Sequence, residues 1–280
     1  MRSAVSLGAA LVSAALAVSM PWSAVAADAP LDGALAGGGR YIVRPLGGAP
    51  VAAIALWYRA PDAGFDATPW PGLGRLAATA VAASQPVTGT PLGAYIERLG
   101  GRITISAYPD SVEIALLVPA DRATSAVQAL TRSFFAPVLT DAGLDDARRT
   151  VAEEAALRGL NPSAAISDRL YGALFTAGPD AAAPFPVPTA VAAIGTATVR
   201  SYAERAFRPS NAILVASGAV TAAVMSGALR GREDAAPGTE PAVPNAVATP
   251  APVHASAPVE GFGLAWAGPP ISDEAAGTIA

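Results

Sequence analysis

The chain has 280 residues, is 52% apolar and 14% charged, and carries a formal net charge of −4. It contains no cysteine, no lysine and one histidine, His254. These counts exclude disulfides, thiolate metal sites and cysteine nucleophiles, and they exclude a zinc centre built from two or three imidazoles of this chain. An acidic balance with no basic cluster argues against nucleic acid as a partner.

Residues 1–26 read as a secretory signal. Arg2 supplies a positive start, residues 4–18 an apolar run, and Ala24-Val25-Ala26 a small-residue cleavage site after Pro21. The alternative is an uncleaved anchor, but the apolar run is short for a span and is interrupted by Ser19, Pro21 and Ser23. Export to the periplasm, with no stable membrane insertion after cleavage, is therefore expected. Residues 27–230 read as one domain, 231–258 as a Pro/Ala-rich linker, and 259–280 as the start of a second, truncated domain.

The first domain opens on an Ala/Gly stretch up to Gly39, read as flexible. Strands are expected over 40–44 and 51–58. Both faces of the second are apolar, which suits a strand covered on both sides. Residues 71–84 read as an Ala-rich helix entered through a Gly/Pro turn, with Leu73, Leu76, Ala77, Ala80 and Val81 on one face. A second helix spans 91–99 and stops at Gly100-Gly101. Strands over 102–107 and 112–118 follow, joined by a turn at 108–111.

A third helix, capped by Asp121, carries Ala123, Ala126, Val127, Leu130 and Phe134 inward and ends before Pro137. A fourth starts near Thr140 or Asp141 and reaches about Leu157, with Asp145 and Asp146 as early-turn charges suited to the helix dipole. Asn161-Pro162 begins a fifth, containing Ile166, Leu170, Leu174 and Phe175. Residues 178–188 read as a loop, 198–207 as a helix, 211–220 as a strand and 221–229 as a short helix. Residues 261–266 look like one further strand. The pattern is α+β, mostly antiparallel strands layered under helices; strand order does not follow from periodicity. Trp57, Tyr58, Phe134, Phe135, Tyr171 and Phe175 are the expected aromatic core. His254 is read as a solvated linker residue, and Gly72 and Gly74 are no phosphate loop because no Lys-Ser/Thr follows.

Several local patterns stand in a fixed order. They are Gly72-Leu73-Gly74 opening the first helix, 95–101 (YIERLGG) before a strand, Asp110 in the next turn, and Phe135-Ala136-Pro137. Behind them come 149–154 (RTVAEE), Asn161-Pro162, Tyr202, and 207–218 (FRPSNAILVASG). Together, over residues 40–218, they resemble the M16 zinc metallopeptidases, the group that includes pitrilysin, insulin-degrading enzyme and the mitochondrial processing peptidase subunits. The resemblance implies a LuxS/MPP-like metallohydrolase fold and a zinc-dependent metalloendopeptidase ancestry.

The family's first helix carries His-x-x-Glu-His, two zinc ligands flanking the base that activates the metal-bound water. The matching positions here are Arg75, Ala78 and Thr79. A guanidinium carries no lone pair for a metal, threonine is a poor zinc ligand, and alanine has no functional group. The third-ligand position matches Glu154, or Glu153 beside it. Zinc is therefore expected in the family and not in this chain, and no catalytic residue is assigned. The family adds its peptide substrate as a strand to a sheet edge, here residues Thr104, Ile105, Ser106 and Ala107. Thr104 and Ile105 replace the usual Asn-Ala pair, although strand pairing through backbone groups does not need it.

Two readings of Arg75 and Glu154 remain open at this level: a salt bridge standing where the metal stood, or two surface charges without contact. A carboxylate metal site at Glu153/Glu154 is disfavoured, since hard cations need several converging oxygens. The expected function is that of an exported, non-catalytic M16-like subunit, paired as a heterodimer with a zinc-bearing homologue and engaging peptide. The alternatives are a zinc-independent enzyme with a remodelled site, or a fragment with no independent activity.

Overall fold

The protein is described by a computed structural model that covers residues 30–35, 37–62, 64–65, 70–84, 89–177, 186–227, 246–247 and 262–266. The expected signal over 1–26, almost all of the linker over 231–258 and most of the second domain over 259–280 lie outside the described residues. So does His254.

Six strands form one sheet: β1 (Leu31–Ala34), β2 (Arg40–Pro45), β3 (Val51–Arg59), β4 (Arg102–Ala107), β5 (Ser111–Pro119) and β7 (Ala212–Gly218), in the order β1-β2-β7-β3-β5-β4. Only β2 and β7 run parallel; the other pairs are antiparallel. Register places Ile54, Leu116 and Ala216 side by side. Period-two alternation then puts Ala52, Ile54, Leu56 and Tyr58 on the same buried face as Val112, Ile114, Leu116 and Val118.

Helices cover that face: α1 (Leu73–Ser84), α2 (Leu92–Arg98), α3 (Ala123–Phe134), α4 (Asp141–Gly159) and α7 (Thr196–Ala206). At its centre Tyr58, Phe134 and Phe207 meet with ring centroids 5.1–6.5 Å apart. The Tyr58 hydroxyl donates to the Phe134 carbonyl at 3.1 Å, so the buried phenol is satisfied. Gly143, in the first turn of α4, meets the end of α1 so closely that a Cβ there would overlap the Ser84 hydroxyl. That close approach is how α4 docks on α1.

Thr140 caps α4 by accepting from the Gly143 N–H at 3.1 Å. Thr140→Ala is expected to cost about 1 kcal/mol in chemical denaturation, the ordinary loss for an N-cap hydroxyl.

Several sequence expectations are corrected. Residues 31–34 form β1, not a flexible lead-in, because they pair antiparallel with β2 and Asp32 salt-bridges Arg40 at 3.0 Å. Asp121 does not cap α3; it sits inside a 3₁₀ turn (Ala120–Arg122) and pairs with Arg122. Helix α5 (Pro162–Leu174), capped by Asn161, ends before Phe175, which enters strand β6 (Phe175–Ala177). Strand β6 pairs with β8 (Ala246–Val247), so two residues of the expected linker are in a small sheet. A further helix, α6 (Pro188–Ala193), begins where a loop was expected to end.

Residues 262–266 lie outside any strand and leave Phe262, Leu264 and Trp266 exposed. Tyr171 is also 40% exposed, because α5 buries only Ala164. Strand β3 is covered on one face alone: Val51 and Ala53 are exposed and Ala55 and Trp57 half-buried. Apolar residues on both faces of a strand do not say whether a second layer exists. The last helix among the described residues, α8 (Ala222–Gly227), follows β7. Among the described residues no helix is long and apolar enough to cross a membrane.

Candidate functional site

The site is built around the entrance of α1. Residues 70–72 make a turn in which Gly72 has φ +85°, a conformation that leaves room for Pro186 where a side chain would stand. Pro71 and Gly72 carry no side-chain acceptor, so the first N–H groups of α1 need a remote one. Asp62 provides it. Its carboxylate accepts from the Gly72 N–H at 2.8 Å and the Arg75 N–H at 3.0 Å, and its backbone carbonyl accepts from the Gly74 N–H at 3.0 Å.

Asp62 is 3% exposed. Burial pushes its carboxyl up to about 6, while the N–H groups of Arg75, Gly72 and Gly74 and the Arg75 charge pull the other way. Sequence reading missed this residue. The available signal was an Ala-rich helix with no Ser, Thr, Asp or Asn at its start, preceded within one loop by an aspartate.

Arg75 projects from the first turn of α1 towards α4 and β4. Its Nε donates to Glu154 Oε2 at 2.9 Å and its Nη2 to Glu154 Oε1 at 2.5 Å, a bidentate fork on one carboxylate. Its Nη1 donates to the backbone carbonyl of Ile105. One guanidinium therefore ties α1, α4 and β4 together. Of the two readings left open by the sequence, the structure has the salt bridge, and Glu154 is its acceptor. Glu153 is exposed and outside this constellation.

Thr79 donates its hydroxyl to the Arg75 carbonyl at 2.8 Å, which spends the group on its own helix. Ala78 is fully buried and packs in the core. The edge residues Ile105, Ser106 and Ala107 border a cavity of about 370 Å³, whereas Thr104 is exposed and does not line it. Helix α4 forms the far wall through Val151, Glu154, Ala155 and Arg158, a stripe at i, i+3, i+4 and i+7. Arg158 is itself held by Asp168 at 2.7 and 3.3 Å.

The donor set does not fit zinc. The three positions that the resemblance matches to the motif hold a guanidinium, a methyl group and a hydroxyl bonded to its own helix, and the Glu154 carboxylate is occupied by Arg75. Among the described residues no group of three or more His, Cys, Asp or Glu converges in a way that would hold a metal.

The architecture is an M16-peptidase-like fold: a mixed six-stranded sheet under helices, with the first helix facing the edge strand. Solved structures bear this out at the level of fold. The chain is similar to a protease from Helicobacter pylori (TM-score 0.69, 13% identity, 78% of this chain and 54% of that one). It is also similar to a peptidase M16 inactive domain from Pseudomonas fluorescens (TM-score 0.63, 18% identity, 80% and 54%). An M16-like peptidase from Alicyclobacillus acidocaldarius gives TM-score 0.64 at 15% identity, over 79% and 52%. The chain thus spans about half the length of the solved chains it matches. No protein-family profile and no curated protein sequence matches it.

Proposed function

We propose that this chain is a non-catalytic M16-peptidase-like subunit that binds extended peptide along the β4 edge and works beside a zinc-bearing homologue. The observation that carries the reading is Arg75, bonded to Glu154 and Ile105, in the place where the resemblance puts the first metal ligand. A positive charge on that carboxylate preserves the α1–α4 junction, while a guanidinium can neither bind a metal nor activate water. The likeness to an inactive M16 domain supports the same reading. The exported location is carried by the sequence of residues 1–26 alone.

The test is purification of the full chain, alone and with zinc-bearing M16 homologues from the same cell, followed by metal analysis and peptide hydrolysis. The expected outcome is no stoichiometric zinc and no hydrolysis by the chain alone, together with a stable complex with one homologue. Stoichiometric zinc overturns the reading of the α1 site. Hydrolysis without zinc favours a remodelled enzyme, for which Asp62, Arg75, Glu154 and Arg158 are the converging polar groups. A chain that ignores every homologue sinks the partnership.

A further inference from the structure

Strand β4 is the edge of the main sheet, and among the described residues β5 is its one strand partner. In an antiparallel ladder, backbone groups of alternate residues point towards the partner strand and away from it. The Ile105 carbonyl is taken by Arg75, from outside the ladder, so Ile105 faces outward, and alternation turns Ile103 and Ala107 the same way. These are the groups an incoming strand would bond, and Ile105 is the middle one.

We propose that Arg75 is a latch on this edge: by holding the Ile105 carbonyl it blocks the central bond of strand addition, and peptide binds only when the guanidinium lets go. The proposal rests on the peptide-binding reading above and adds the element that controls access. Glu154 is what makes the latch reversible. Its fork holds Arg75 on the α4 side, so the guanidinium can release Ile105 without losing its counter-charge. The occupant is an extended polypeptide backbone. The blocked group is a main-chain carbonyl in a row of outward main-chain groups, and the cavity before it opens along the strand at Ile105, Ser106 and Ala107. An exposed edge left without such a cap would also invite pairing between copies of the chain, which the latch suppresses.

The experiment measures binding of fluorescein-labelled β-casein, an unfolded polypeptide, to the full chain by anisotropy. Arg75→Met keeps the aliphatic stem and removes the fork, freeing Ile105; binding is expected to tighten about tenfold, the worth of one hydrogen bond from a charged donor. Arg75→Lys is the companion should the first variant fold poorly. It keeps the charge beside Glu154 but cannot fork to both partners, and an intermediate gain is expected. Adding Ala107→Pro to either variant removes an outward N–H without touching the pairing to β5, and should reverse the gain. Equal affinity in wild type and both Arg75 variants overturns the latch and leaves peptide binding standing. A gain that Ala107→Pro does not reverse places the binding elsewhere and also overturns the latch. No binding by any of the proteins overturns both the latch and the peptide-binding reading.

Discussion

Asp62→Ala is expected to destabilise the protein by about 2–4 kcal/mol at pH 5, because the buried Gly72 N–H and the part-buried Arg75 N–H at the start of α1 lose their acceptor at once. At pH 8 the gap should be smaller, and the reason is the sign of the linkage. The folded-state carboxyl titrates near 6 against an ordinary 3.8, so between these values the native state holds more protons than the unfolded one. Stability from this group is then present at low pH and falls as pH rises from about 4 to 6, by up to about 3 kcal/mol. The clean measurement is the difference in unfolding free energy between wild type and Asp62→Asn across pH 4–8. That difference should shift against the wild type as pH rises. A difference that moves the other way would mean that the helix-entrance N–H groups outweigh burial and hold the carboxyl ionised.

Gly74→Ala sets two effects against each other. Helix propensity alone makes the substitution stabilising by about 1 kcal/mol. The packing opposes it: a Cβ at Gly74 would lie 2.8 Å from the Tyr202 hydroxyl oxygen, 3.0 Å from Asp62 Oδ1 and 3.0 Å from Val112 Cγ2. None of these is a loose side-chain end, since Tyr202, Asp62 and Val112 are all buried. Overpacking of this kind costs about 1–3 kcal/mol, and displacing Asp62 weakens the helix entrance as well. A net loss of about 1–2 kcal/mol is expected, read from denaturant midpoints at unchanged slope. A stabilised variant would show that the contact between α1 and α7 at this point has slack.

These two residues also mark how far the sequence could be read. Most helices and most strands were legible because apolar residues recur at their periods: Leu92, Tyr95, Ile96 and Leu99 in α2, and Val112, Ile114, Leu116 and Val118 in β5. The absence of an imidazole from α1 was legible too, since it follows from residue identities and from a histidine count of one. Strand β1 was not legible. Leu31–Ala34 is short and Ala/Gly-rich, and it is a strand because β2 offers it an edge. The open face of β3 was hidden for a similar reason, as Ala53, Ala55 and Trp57 are apolar whether or not anything covers them.

For the site, the sequence alone determined what is missing. Arg75, Ala78 and Thr79 can supply neither zinc ligands nor a base, whatever the fold. The resemblance to M16 peptidases, not periodicity or spacing, singled out Glu154 and residues 104–107 as places to look. Only the tertiary structure decided that Arg75 forks onto Glu154, that the same guanidinium occupies the Ile105 carbonyl, and that Asp62 closes the entrance of α1 from outside the helix. Chemical capability is a property of each residue and can be read one position at a time. These contacts join residues 10 to 79 positions apart, and such pairings exist only once the sheet order and the docking of α1 on α4 have brought their elements together.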